Sequence, residues 1–401
     1  MLAILRRFCY FISFPCAILL ILISPFFRVR LIGLQAFRIG HYALNTELML
    51  CAIDLENNNK KKTFFYNMSK PCNNQLYKMW KRCIPIFPLS ILASQVDQLL
   101  SLFLGAHYYN DSIKKKYEPC SGAIDDAGFL KKNKTPHLSF TKTEIKKAKK
   151  IMQQLGIPQD AKIVCLIVRD PAYLRQTYPE HDWSYHDHRN ADVMTYKKVA
   201  LYLAQQGYYV LRMGKFTQQE FSVDHPNIID YATNQARSDF MDVYFCATCQ
   251  FCISTCTGLD CVSQIFRKTV ILTNISPVVG EALMWYPCTL YISKLLKNKN
   301  TSTYLTLSET ARVCRTLSKN VIADLSKQNL TIVENTDDEL LDAVMELEKR
   351  MTAEWVETDS EKLFQMKYWE HYKKHCRVDV GEIYIKIASG FLNKNKHLLL
   401  N

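Results

Sequence analysis

KIVCLIV, residues Lys162 to Val168, is the stretch on which the fold turns. Behind one lysine stand six consecutive apolar residues with no polar alternation. A strand of that kind has both faces covered, as in the middle of a parallel sheet. The turn Gly156-Ile157-Pro158-Gln159-Asp160 leads into it. Downstream, a helix is expected from Thr195 to Gln206, closed by Gly207, and then a strand from Tyr208 to Met213, broken by Gly214. Ile228 to Tyr231 reads as a short strand, and Ser238 or Asp239 caps a helix that includes Met241 to Cys246. Phe251 to Ser254 is a strand, Cys261 to Phe266 a helix and Thr269 to Leu272 a strand. Alternating strands and helices mean βαβ units, so the class is α/β with a parallel sheet.

Upstream, Thr143 to Leu155 reads as a helix, and Ile32 to Asp54 as strand, loop and helix with Arg38-Ile39-Gly40-His41 as the loop. Residues 60 to 140 are rich in Asn and Lys, with short apolar runs such as Cys83 to Phe87, and suggest a further α/β half. Phe8 to Phe27 carries no charge and is flanked by Arg6, Arg7, Arg28 and Arg30. About 20 apolar residues can cross a bilayer. Pro15 and Pro25 interrupt the run, so a spanning, re-entrant or interfacial helix is expected. No small-residue cleavage site follows. The heavier positive flank (Arg28, Arg30, Arg38, Lys60 to Lys62) places the body in the cytoplasm behind a single inner-membrane anchor. Fifteen cysteines in a chain with long apolar strands fit a reducing compartment. The domains are then 1–30 (anchor), 31–155, 156–330 and a helical tail at 331–401, which includes a helix at Asp337 to Trp355.

The formal net charge of +13 implies anionic partners. No recognition-helix or basic-region pattern accompanies it, so nucleic acid is not among them. A membrane surface and a phosphate-bearing substrate remain. Parallel sheets place ligands beyond the carboxyl ends of their strands. The loops there offer Arg169 and Asp170, Arg212, Gly214 and Lys215, Arg237 and Ser238, and the turn Thr255 to Asp260 with Thr257 and Gly258 as a backbone cradle for phosphate. Tyr173, Tyr185, His186, Asp187, His188, Arg189 and Asp192 are candidate sugar contacts on the long loop after Val168.

The stretches RIGHYALNTEL (Arg38 to Leu48), Arg169 to Lys215 with RDPAYLRQ and YHDHRNADVMTY, and Ile228 to Asp260 with RSDFMDVYFCATCQFCISTCTGLD resemble a family of bacterial glycosyltransferases found among surface-polysaccharide genes. The resemblance implies a GT-B-like fold, two Rossmann-like domains facing across a cleft. Donor binding would fall mainly to the C-terminal half and acceptor binding to the N-terminal half. It also implies a nucleotide-sugar donor, a glycan or lipid-linked acceptor, no cofactor and no metal, with Arg side chains and helix N-termini neutralising the diphosphate. Arg169 and Arg237 fit that role, and Asp230 and Tyr231 could contact base or ribose or simply form a turn. A general base must take the acceptor proton. His41, on the loop with Arg38, Gly40 and Asn45, and Glu47 are the N-terminal candidates, with Asp170 and Asp187 behind them.

Two other patterns compete. Cys246, Cys249, Cys252 and Cys256 have iron–sulfur-like spacing, but they divide between a helix end, a connection, a strand and a loop. His181, Asp182, His186, Asp187 and His188 could hold a metal ion in a hydrolase. A non-catalytic anchored scaffold is a third reading.

Overall fold

The computed structural model describes residues 2–26, 28–56, 61–105, 111–118, 125–278, 290–375 and 385–399; the side chains of 2–8 and 375 and the expected basic residue Lys60 lie outside that description. The chain forms two compact units, Met1–Ile145 with Ile265–Arg267, and Lys146–Gln264 with Lys268–Asn401.

The first unit contains α1 (Leu2–Ile23), β1 (Arg28–Leu34), α2 (Thr46–Asp54), β2 (Lys61–Asn67), α3 (Asn74–Cys83), α4 (Ser90–Leu104), α5 (Ser112–Tyr117) and α6 (Phe129–Lys132), while α7 (Lys142–Gln154) straddles its end. β1 and β2 pair in parallel from Arg28 opposite Lys61 to Leu34 opposite Asn67. Ile86 adds one parallel bridge to Phe65. Pro85 and Pro88 flank that bridge and lack the N–H groups a longer ladder needs. Among the described residues this unit therefore carries a two-stranded sheet, short of the Rossmann-like half expected. Ala17 of α1, Leu31, Tyr66 and Ala93, Val96 and Leu100 of α4 form one of its buried apolar clusters. Inside it, Lys114 pairs with Asp97 at 2.6 Å, and the Tyr66 hydroxyl donates to the same carboxylate at 2.8 Å. Cys16, Ala17, Leu20 and Ile21 of α1 are thus packed into this unit. No helix among the described residues is long and apolar enough to cross a membrane, so the spanning form of the anchor is not seen.

The second unit contains β3 (Lys162–Ile167), α8 (Ala172–Thr177), α9 (Lys197–Gln205), β4 (Tyr208–Arg212), β5 (Ile228–Ile229), α10 (Asp239–Thr248), β6 (Phe251–Ser254), α11 (Asp260–Ile265), β7 (Thr269–Ile275), β8 (Leu290–Ser293), β9 (Leu295–Asn298), α12 (Leu307–Thr316), α13 (Val321–Lys327), β10 (Leu330–Val333), α14 (Asp337–Met351), α15 (Asp359–His375), β11 (Lys386–Ile387) and α16 (Ser389–Lys394). Seven strands make one sheet in the order β11-β8-β7-β6-β3-β4-β5. Its pairings are parallel throughout. From β3 the chain builds outward through β4 and β5, then returns to lay β6 against the other side of β3. That reversal is the topological switch point of the doubly wound fold, where the connections diverge and leave a crevice. β3 is buried from Ile163 to Ile167, as its apolar run requires. Gly207 ends the α9 turn at φ +83°, a left-handed conformation that favours glycine. The Ser238 hydroxyl caps α10 by accepting from the Met241 amide. The tail belongs to this unit: β11 is an edge strand of the sheet.

Candidate functional site

At the switch point the loops after β3 and β6 are fastened together. The Arg169 amide donates to Thr255 Oγ1 at 2.8 Å, and the Thr255 amide to the Ile167 carbonyl at 3.1 Å. Arg189, from the 3-10 turn Ser184–Arg189, reaches over and donates from Nη2 to the Cys256 carbonyl at 2.8 Å. Cys256 holds φ +59°, an uncommon conformation for a residue with a Cβ. Lys294, just beyond β8, is buried, donates to the Asn190 carbonyl and pairs with Glu334 at 3.1 Å.

Between these groups sits His188, also buried, with Nδ1 2.7 Å from the hydroxyl of buried Ser276 at the end of β7. Burial, followed by the charges of Arg189, Lys294 and Arg169, pushes this imidazole down to about 4. The ring is therefore neutral at pH 7. Three cations act on it, Arg169 and Arg189 from the β3–β4 connection and Lys294 after β8, and one carboxylate, Glu334, offsets part of their charge. A group of cations at the carboxyl edge of a parallel sheet is suited to an oxyanion ligand. The sequence reading named Arg169 and Arg189, and His188 both among loop side chains that could touch a sugar and in the metal alternative, but missed Ser276 and Lys294.

Other expected phosphate ligands are engaged by the protein's own carboxylates. Arg212 is 1% exposed and bridges Asp230 at 3.2 Å and Asp170 at 3.5 Å. Arg237 pairs with Asp242 and, at 3.6 Å, with Asp239. Burial raises the Asp242 carboxyl to about 6, although Arg237 opposes the shift. The expected cradle at Thr257 and Gly258 is closed: Asp260 accepts the Thr257 amide at 3.0 Å and the Ser254 hydroxyl at 2.5 Å. The Thr257 hydroxyl is buried without a hydrogen-bond partner. Tyr231 is a core residue, its ring set edge-on against Phe245, and cannot reach a nucleotide there. Asp170 is a connector as well, accepting the Ala172 and Gln218 amides in addition to Arg212, which removes it as a free base.

The long loop gathers its aromatics. Trp183 stacks on His186, whose ring centroid lies 4.0 Å from that of Tyr185. Tyr173 stacks on Phe216, and Lys215 lies 5.7 Å from the Phe216 ring centre. Asp187 accepts from Asn190 and Arg175, and Asp192 caps the next turn through the Met194 amide. The metal alternative is not assembled: Asp182 receives the Ser184 amide and hydroxyl, and His188 is turned to Ser276. Among the described residues, Glu47, Cys51 and His137 are the set of three possible ligands lying close together. The four cysteines of the iron–sulfur-like run form no such group.

In the first unit, Glu47 is fully buried, so it is no solvent-facing base. Arg267 holds its Oε1 at 2.7 Å and His137 Nδ1 lies 3.1 Å from Oε2. Asp54 receives the other side of His137 at 2.9 Å. Hydrogen bonding to Glu47 raises the His137 imidazole above its ordinary range. The result is an ion-pair chain, Asp54–His137–Glu47–Arg267, in which Arg267 already neutralises Glu47. His41 differs. It opens a π-helical turn, His41–Asn45, is half-buried, and burial together with Arg38 lowers its pKa, favouring the neutral base. Such turns recur at functional sites. Asn45 is buried and donates to the Tyr117 carbonyl at 3.1 Å, Gly40 caps the turn in right-handed helical conformation, and Arg38 is exposed.

No family model and no curated protein matches the chain. Among solved structures it is similar to the glycosyl transferase family 9 protein from Veillonella parvula DSM 2008, at 7% identity over 67% of this chain and 86% of that one, with a TM-score of 0.38. A likeness so slight carries no function across.

Proposed function

We propose that the chain is a glycosyltransferase that binds the diphosphate of a nucleotide sugar among Arg169, Arg189 and Lys294 and passes the sugar to a glycan or lipid-linked acceptor of bacterial surface polysaccharide. The supporting observation is that Arg189 and Lys294 are tied to the Cys256 and Asn190 carbonyls beside buried His188, whose pKa they and Arg169 lower, at the switch point of a doubly wound sheet. Cationic side chains would take the part that a metal ion plays elsewhere. The clustered rings of Trp183, Tyr185 and His186 suit the apolar faces of a sugar, and Asp187 and Asn190 its hydroxyls. His41, held neutral, is the base proposed for the acceptor hydroxyl.

A panel of nucleotide sugars tested for thermal stabilisation checks the reading, because a ligand that binds only the folded state raises apparent stability. At least one donor is expected to raise the midpoint. Arg189→Ala and Lys294→Ala should each weaken that donor by about tenfold to a hundredfold, the worth of one charge-assisted hydrogen bond. If no donor stabilises the protein, or both variants respond as the parent does, the diphosphate assignment is wrong. His41→Ala should lower turnover by about a hundredfold or more while leaving donor stabilisation unchanged; unchanged turnover would remove His41 from the chemistry.

A further inference from the structure

α1 is packed the opposite way round from a helix that faces water. Its inward stripe is small: Cys9, Ser13, Ala17 and half-buried Cys16, with Leu20, set against α4 and β1. Its outward stripe is large: Phe11, Phe14, Ile18 and Leu22, flanked by Tyr10 and Leu19. Phe11 is 83% exposed. An amphipathic helix in water buries the large apolar side chains and presents polar ones. α4 extends the same surface with Leu102, 74% exposed, and Phe103, whose ring meets Phe14 edge-on at 6.1 Å. Phe26, 80% exposed, continues it past the end of α1.

Cations are frequent near this surface, and of them Arg30 is buried and paired with Glu56 at 2.7 Å and Asp111 at 3.2 Å. Residues 1 to 46 contain no Asp or Glu, while Arg6, Arg7, Arg28, Arg30 and Arg38 fall within them. The acidic residue of α4, Asp97, is buried against Lys114. Arg28 and Lys62 are exposed where β1 and β2 begin, beside the end of α1.

We propose that the outward faces of α1 and α4 form a docking platform for an anionic lipid bilayer, lying in the interface without crossing it. Large apolar side chains enter the acyl boundary, and the rim cations Arg28 and Lys62 meet lipid phosphates. The inward face of α1 is committed to α4 and β1, which is incompatible with a helix wrapped by lipid on all sides. A second copy is the poorer occupant, because a two-fold pairing of this face would set Arg28 and Lys62 near their own copies. The inference rests on the first unit alone and stands or falls apart from the donor site.

Co-sedimentation of the full chain with phosphatidylcholine vesicles containing phosphatidylglycerol tests it. The protein should pellet with the vesicles. Phe11→Ser, Leu22→Ser and Leu102→Ser combined should lower the bound fraction by about tenfold or more with an unchanged thermal unfolding midpoint. Arg28→Gln with Lys62→Gln should weaken binding to these vesicles but not to pure phosphatidylcholine. Four results would overturn the proposal: wild type left in the supernatant, a triple variant that pellets equally well, a dimer lost in that variant without any vesicle binding, or bound α1 cleaved by protease from the far side of sealed vesicles.

Discussion

Arg212→Ala should destabilise the folded protein by about 3–5 kcal/mol, read as a lowered urea midpoint at unchanged slope. Arg212 ends β4, is 1% exposed, and joins three connections. It donates to Asp230 at 3.2 Å and to the Gln219 carbonyl at 3.1 Å, and its second nitrogen lies 3.5 Å from Asp170. Asp230 also accepts the Phe221 amide at 2.8 Å. Removing the guanidinium strands two largely buried carboxylates beside a cavity. The loss therefore exceeds the worth of the ion pairs themselves, since unpaired buried charge is the costly species. Asp170→Asn with Asp230→Asn should recover part of the stability of the alanine variant by removing those charges. A loss below about 1 kcal/mol would mean that Arg212 is solvated and available to a ligand, as the sequence had suggested.

That contrast shows where the sequence was legible. Periodicity located β3, α9, β4, α10 and β6 because each depends on local composition: an unbroken apolar run, a glycine at a helix end, a serine one residue before an amphipathic segment. Their parallel order followed from alternation. The arginines were legible as residue types but not as partners. Arg237 pairs with Asp239 and Asp242 on the helix it precedes, a local pattern visible in RSDFMD and passed over. Arg212 pairs with Asp170, 42 residues away, and no local pattern announces that. Lys294 looks like a surface lysine between the short segments LYIS and LLKN, yet it becomes a buried cation once β8 joins the sheet and Glu334 approaches from after β10. The N-terminal apolar run was legible as a membrane-directed segment. Whether it crosses depends on what its small-residue stripe packs against, and α4 lies some seventy residues further along.

Acid should weaken the protein through His188, and a diphosphate ligand should reverse part of that effect. Burial, with Arg189, Lys294 and Arg169, depresses the imidazole to about 4 from the ordinary 6.5. Between those values the unfolded chain takes up a proton that the folded protein refuses. The stabilisation linked to His188 is therefore complete above about pH 6.5 and is lost as pH falls toward 4, with an upper bound on the order of 3 kcal/mol. Asp242 works in the other direction: raised to about 6, it favours the folded state increasingly as pH falls through that value. Whole-protein curves mix the two, so the informative quantity is the difference between wild type and His188→Asn, measured by chemical denaturation across this range. The variant should show a flatter loss on acidification. An identical profile would place His188 in contact with solvent rather than among three cations. Pyrophosphate, bound by Arg169, Arg189 and Lys294, would counter the charges that exclude the proton and raise the His188 pKa. Its stabilising effect should then be larger at pH 5 than expected from a variant lacking His188. An equal effect in the two proteins would locate the anion elsewhere.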